Sequence, residues 1–319
     1  MTESTKADPK LVYATDLGGT HLRVALVDET GRIHTQVKHQ TPHGTTPDSI
    51  VDAIVSGIKE LKDSHAGDAI AASIVVPGIV DKENKYIFQA PNLPALDNFG
   101  LKQVLQEQLQ FPVLLENDAN AAAVGETWLG AARGARNVIC ITLGTGVGGG
   151  IILDGKLWRG TDGSAGELGH TTVEPFTGPP CKCGNTGCLE MYASATAIVR
   201  MTREALERFP DSTLRDQCLT SLKVYDAAKS GDELALSVFK TSGQYLGVAI
   251  VNLINTLAPE VIVVGGGGSN AWDLLEPEIR EQIRRRAFSS LALNVLIRQA
   301  ECGDNAGLLG AAKLAFDLN

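Results

Sequence analysis

An α/β protein of two lobes is the fold class this sequence predicts, on three counts. Apolar strand-like runs alternate with segments of helical spacing from residue 11 onward. A glycine-rich turn between two apolar runs occurs twice, in LVYATDLGGTHLRVALVDETG and in VICITLGTGVGGGIILDG. The 319 residues, 44% hydrophobic and 20% charged, make about twice a usual domain and can bury a sizeable core, unlike a disordered or fibrous chain.

Leu11–Thr15, Leu22–Asp28 and Ile33–His39 read as three strands, the first two joined by DLGGTH. After the break PHGTTP, Asp48–Lys62 has helical spacing, Ile70–Val76 is an apolar strand, and Val113–Glu116 is a short strand before a helix. The order is βββαβαβα. Residues 138–154 repeat the opening pattern, yet DLGGTHLRVALVD and TLGTGVGGGIILD agree only at Leu17/Leu143, Gly18/Gly144 and Asp28/Asp154, so a repeated architecture is the safer expectation. Helices follow around 195–208, 222–229 and 232–257, then a strand at 261–268, a helix near 273–286 and a Gly/Ala-rich helix after Asp304. With that last helix returning to the first lobe, the expected division is 1–118 plus 304–319, a small lobe, and 119–303, a large one.

Charge narrows the function classes. Lys and Arg number 28 against 37 Asp and Glu, a net charge of -9, which disfavours a nonspecific grip on nucleic acid or an anionic membrane. The uncharged run between Lys240 and Glu260 is nearly long enough to span a bilayer, but Ser242, Gln244, Asn252 and Asn255 make it a buried core helix. The N-terminal MTESTKADPK lacks an apolar stretch after a basic region, so the expected location is cytoplasmic. Three of the six cysteines fall within eight residues, a clustering that in a reducing compartment suggests a metal and not disulfides.

Glycine turns between strands let backbone N–H groups approach a phosphate, because a residue without Cβ reaches the conformations that aim successive amides inward. Residues 16–20 and 144–150 both fit, although either alone could be a plain hairpin turn. Neither opens a helix as a dinucleotide fingerprint does, and no G-x-x-x-x-G-K-[ST] is present. In ENDANAAAVGE, Asp118 stands between a short strand and a helix, where it could cap the helix or accept a hydroxyl proton at a strand's C-terminal edge. GELGHTTVEPFTGPPCKCGNTGCLE offers His170, Cys181, Cys183 and Cys188, a set that suits tetrahedral Zn2+ with no position left open, hence a structural metal. Glu167 and Glu190 flank that loop, so loss of the metal is expected to loosen them before the phosphate turns at 18–20 and 144–146.

DLGGTHLR, APNLP, ENDANAAA, TLGTGVGGG, GELGH and CKCGNTGCLE, in that order, resemble the ROK family of sugar kinases and repressors, most closely its bacterial glucokinases. The resemblance implies an actin/hexokinase-like (ribonuclease H-like) fold with two lobes and a cleft between them. It implies ATP-dependent phosphorylation of glucose at the 6-hydroxyl, with another hexose or N-acetylhexosamine, such as fructose or N-acetylmannosamine, as the alternative acceptor. Asp118 would then be the general base, and Gly78, Asn92, Asn117, Glu167, His170 and Glu190 would serve the sugar. Asp16 would organise Mg2+ through water; Gly18, Gly19 and Thr20, with Gly144, Thr145 and Gly146, would meet the ATP phosphates. Gly265, Gly266, Gly267 and Gly268 would lie near the adenosine. A homodimer or a dimer of dimers is implied. The family's repressors add an N-terminal helix-turn-helix, for which no helix pair precedes the first strand here.

Overall fold

The computed structural model describes residues 9–42, 46–64, 69–83, 85–292 and 294–318. The first eight residues, on which most of the expected lack of a secretory signal rests, lie outside them. In chain order the elements are β1 (Leu11–Leu17), β2 (His21–Asp28), β3 (Ile33–Gln40), α1 (Asp48–Ser64), β4 (Ala69–Val76), β5 (Ile79–Val80), β6 (Ile87–Gln89), α2 (Leu101–Leu109), β7 (Val113–Asn117) and α3 (Asp118–Trp128). Then come β8 (Val138–Leu143), β9 (Val147–Leu153), β10 (Lys156–Leu157), α4 (Glu190–Ala193), α5 (Ala195–Ala205), α6 (Ser221–Lys229), α7 (Glu233–Leu257), β11 (Val261–Gly265), α8 (Trp272–Arg286), α9 (Ser289–Ala292), β12 (Leu296–Gln299) and α10 (Ala306–Phe316). The chain divides into two compact units, Met1–Arg133 with Leu157–Ala165 and Asn305–Asn319, and Gly134–Lys156 with Gly166–Asp304.

The first unit is built on a sheet of order β3-β2-β1-β4-β7. β1 runs antiparallel to β2 and parallel to β4, and its central position explains why LVYATDL is buried almost throughout. α1 presents Ile50, Ile54, Ile58 and Leu61, at helical spacing, to the core that also holds Leu22, Val24 and Leu26 of β2. α3 and α10 cross through small residues. A Cβ on Gly125 would lie 2.2 Å from the Ala306 carbonyl oxygen, and one on Gly310 would lie 1.7 Å from that of Ala121. This contact is why α3 belongs with the first unit instead of opening the second, as a division at residue 118 would have it.

The second unit repeats the plan: its sheet has the order β10-β9-β8-β11-β12, with β8 antiparallel to β9 and parallel to β11. The hairpin and its two parallel neighbours thus recur in the same arrangement, on three identical residues out of thirteen in the aligned turns. α7 is long and apolar enough by composition to cross a membrane, but 61% of its most apolar window is buried, and Leu234, Val238, Leu246, Ile250 and Ile254 fill the core of this unit.

β5, β6, β10, β12, α4 and α9 have no counterpart in the sequence reading, being two to four residues long and too short to show a period, and α2, implied by the order βββαβαβα but given no range, buries only Leu101 and Leu105. β11 stops at Gly265, where 261–268 reads as one strand, because Gly266 has φ +76° and a 3-10 turn begins at Gly267.

The α3–α10 crossing gives a test of packing. In an exposed helix, alanine for glycine gains up to about 1 kcal/mol, but here the new methyl meets a backbone oxygen that no side-chain rotation can remove. Gly310→Ala is expected to destabilise the chain by on the order of 3 kcal/mol, read as a fall in the urea midpoint; an unchanged or higher midpoint would show that the two helices separate freely.

Candidate functional site

In the first unit the β1–β2 turn closes with the Gly18 amide donating to the His21 carbonyl at 2.9 Å. Thr41 braces it from outside, its hydroxyl donating to the Gly18 carbonyl at 2.7 Å and its amide to the Thr20 carbonyl at 2.9 Å. Asp16 and Arg23 face each other in the strand register and form an ion pair. Asn92 lies against this turn: a Cβ on Gly19 would be 3.3 Å from the Asn92 Cβ.

β7 ends at Asn117 and α3 begins at Asp118, so the cap and the candidate base are adjacent residues. The cap is Asn117. Its Oδ1 accepts from the amides of Ala119 at 2.9 Å and Asn120 at 3.0 Å, and its Nδ2 donates to the Gly78 carbonyl at 2.9 Å. With both lone pairs of Oδ1 taken, what Asn117 has left for a ligand is one N–H. Gly78 is small for packing reasons, since a Cβ there would be 2.4 Å from the Gln89 carbonyl oxygen. Asp118 is exposed on the first turn of α3, its Oδ1 accepting from the Ala119 amide at 2.8 Å.

In the second unit the β8–β9 turn closes with the Gly144 amide on the Gly146 carbonyl at 2.9 Å. The segment after the cysteines braces it: the Ala195 amide donates to the Gly144 carbonyl at 2.8 Å, and the Thr196 hydroxyl to the Thr145 carbonyl at 2.8 Å. Glu190 Oε2 accepts the Val147 amide at 2.9 Å, and a Cβ on Gly146 would come within 2.4 Å of it. This corrects the expectation that the metal loop and this turn are independent, because the carboxylate two residues beyond Cys188 is hydrogen-bonded to the turn itself. The glycine run joins the same place. Gly266 and Gly268 lie where a Cβ would be 2.5 Å from the Leu143 carbonyl oxygen and 2.7 Å from the Leu143 Cβ, while Gly267 faces open space.

His170 Nδ1 lies 3.6 Å from Cys181 Sγ, and Cys183 Sγ lies 3.7 Å from Cys188 Sγ. All four donor atoms fall within 4.8 Å of one another. Zinc bonds of about 2.3 Å to sulfur and about 2.0 Å to nitrogen put tetrahedral neighbours at roughly 3.8 Å for two sulfurs and roughly 3.5 Å for sulfur and nitrogen. The donor set and its spacing therefore fit Zn2+. Burial, then the neighbouring thiols of Cys183 and Cys181, push the Cys188 thiol up to about 12, and the Asn185 amide leads the groups that lower Cys183. With Nδ1 turned to the thiols, His170 Nε2 lies on the side of Glu167, 3.9 Å from its Oε2.

Three residues of these sites escape the sequence reading. Arg23 is recoverable by counting the hairpin register from DLGGTHLR, and Thr41 carries no local signal because it closes the turn from 23 residues away from Gly18. Glu116 stands as a lone carboxylate in the apolar strand VLLEN and is 2% exposed, a buried charge that calls for partners.

A two-unit α/β chain with paired glycine turns and a His/Cys3 cluster is matched from residue 12 to 317 by the profile of the ROK family, and the chain belongs to this family. It is similar over nearly its whole length to proteins named glucokinase. That of Halalkalibacterium halodurans is 40% identical over 310 residues, 94% of this chain and 93% of its own. That of Thermotoga maritima is 37% identical over 312 residues, 96% and 98%. The crystal structure of a ROK family glucokinase from Streptomyces griseus in complex with glucose and AMPPNP superposes with a TM-score of 0.82 at 36% identity, covering 96% of this chain and 99% of that one. The fold is the ROK sugar-kinase fold, in the actin/hexokinase-like class that the motifs imply.

Asn117→Ala removes a cap and the tie to Gly78, and is expected to lower stability by about 1–2 kcal/mol; equal stability of variant and parent in denaturant titration would show that the three hydrogen bonds are without consequence.

Proposed function

We propose that this chain transfers the γ-phosphoryl group of ATP to the 6-hydroxyl of glucose. The observation that carries this reading is the near-full-length similarity to glucokinases, including one crystallised with glucose and AMPPNP. Phosphoryl transfer asks little covalent chemistry of the protein; positioning and charge neutralisation supply most of the acceleration. Asp118, set at a strand's end with the capping task taken by Asn117, is the general base. It orients the 6-hydroxyl and takes its proton as the oxygen bonds to phosphorus and ADP departs. Asn92, Asn117, Glu167, His170 and Glu190 are the sugar-binding set, with Gly78 shaping the pocket.

The turns at Gly18, Gly19 and Thr20 and at Gly144, Thr145 and Gly146 hold the ATP phosphates, and Gly265 to Gly268 lie at the adenosine. Mg2+ accompanies ATP and neutralises phosphate charge. Asp16 suits it through water, since its pairing with Arg23 commits one carboxylate oxygen. Zn2+ on His170, Cys181, Cys183 and Cys188 is structural. The enzyme acts in the cytoplasm, as a homodimer or a dimer of dimers.

ADP release measured with glucose, fructose and N-acetylmannosamine tests the acceptor: kcat/KM should be highest for glucose, and a tenfold preference for either competitor refutes it. In the same assay Asp118→Asn should lower kcat by about two to four powers of ten with little change in glucose KM. Retention of most of kcat would remove Asp118 from the chemistry.

Because Glu190 ties the metal loop to the turn at 144–147, chelation or Cys183→Ser should raise the KM for glucose and for ATP together. Metal analysis should find one zinc per chain. A metal-free protein of full activity, or a rise confined to glucose, defeats the coupling.

A further inference from the structure

Glu116 is the last residue before the Asn117–Asp118 pair, and both oxygens of its carboxylate are engaged, in three hydrogen bonds and an ion pair. Oε1 accepts the Asn117 amide at 2.9 Å and Asn120 Nδ2 at 2.9 Å. Oε2 accepts Arg159 Nε at 2.8 Å, and Arg159 Nη2 completes the ion pair at 2.6 Å. The Glu116 side chain is 3% exposed and that of Arg159 26% exposed. Such a pair is a poor device for stability, because desolvating both charges cancels much of their attraction and an apolar pair of similar volume would serve as well. What the pair does supply is direction. The carboxylate clamps the peptide amide preceding Asp118 and the side chain of Asn120 half a turn later. Asn120 Oδ1 is buried without a partner among the described residues, so Glu116 alone holds that side chain.

Arg159 reaches this place from far along the chain. It stands in Leu157–Ala165, a stretch that belongs to the first unit although residues on both sides of it belong to the second. A second contact seats the same stretch: Gly163, at φ +100°, lies where a Cβ would be 2.2 Å from the Val80 carbonyl oxygen. Nothing in the turns, the glycine run or the metal cluster requires this excursion.

We propose that Arg159 is a positioning residue for phosphoryl transfer, acting through Glu116 to fix the strand-to-helix junction on which Asp118 stands. The inference rests on the reading of Asp118 as the base. A carboxylate displaced by a fraction of an ångström still binds sugar but is misaligned on the hydroxyl, so the loss should fall on kcat.

A double-mutant cycle on the full chain tests it, with single-turnover transfer from radiolabelled ATP as the readout. Arg159→Lys keeps the charge and loses the Nε hydrogen bond and the planar guanidinium contact. It should lower kcat about tenfold, leave both KM values within about threefold, and melt within a few degrees of the parent. Glu116→Gln, which sets an amide N–H against the guanidinium or the neighbouring amides, should show the same pattern. In an Asp118→Asn background, Arg159→Lys should cost less than about twofold further, because the group it positions is gone. If Asp118→Asn is crippled but Arg159→Lys costs the same factor in both backgrounds, Arg159 acts elsewhere and the inference falls while the base assignment stands. A rise in KM or a collapse in melting temperature in place of the loss in kcat, for both Arg159→Lys and Glu116→Gln, shows a structural role and overturns it. Full activity of Asp118→Asn overturns both.

Discussion

The contact on which the first unit turns is the one between α3 and α10, where Gly125 and Gly310 each lie beneath a carbonyl of the other helix. Backbones can approach this closely only where a side chain is missing, so the alanines and glycines of ANAAAVGE and AGLLGAAKLA are a geometric requirement and not mere helix filler. Once α3 is fixed along its length, its N-terminus is fixed as well, and that is where Asn117, Asp118 and Glu116 stand. Packing on one side of the helix thereby sets the position of polar groups at its end.

The second unit solves a similar problem with hydrogen bonds. Its turn at 144–146 has few side chains of its own to hold it. Ala195, Thr196 and Glu190 grip it from one short segment, and that segment begins just beyond Cys188. The His/Cys cluster, the carboxylate and the turn are therefore links in one chain of contacts, which spacing along the sequence does not reveal.

Much of this was legible beforehand for physical reasons. The central strands are buried on both faces and announce themselves as unbroken apolar runs; the cysteine cluster is local, so its ligands appear within nineteen residues. What was hidden depends on distance or brevity. β5, β6 and β12 are too short for periodicity, and Thr41 and Arg159 act on groups 23 and 43 residues away. The choice between Asn117 and Asp118 as cap is set by which of two neighbouring residues stays extended, and Asn117 has ψ 147°. Spacing alone does not decide that. That α3 and Leu157–Ala165 go with the first unit was equally hard to read, because it follows from packing and not from any change in composition.

That division has a consequence for how the protein is made. The first unit consists of three separated stretches of chain, and the last of them carries α10. At a ribosomal pace of roughly 5–20 residues per second, α10 follows α3 by roughly 10–40 seconds, an interval in which α3 waits for the helix it packs against. The second unit, by contrast, is complete in sequence before α10 emerges. The order of completion is thus the reverse of the order of synthesis: the unit begun first is finished last.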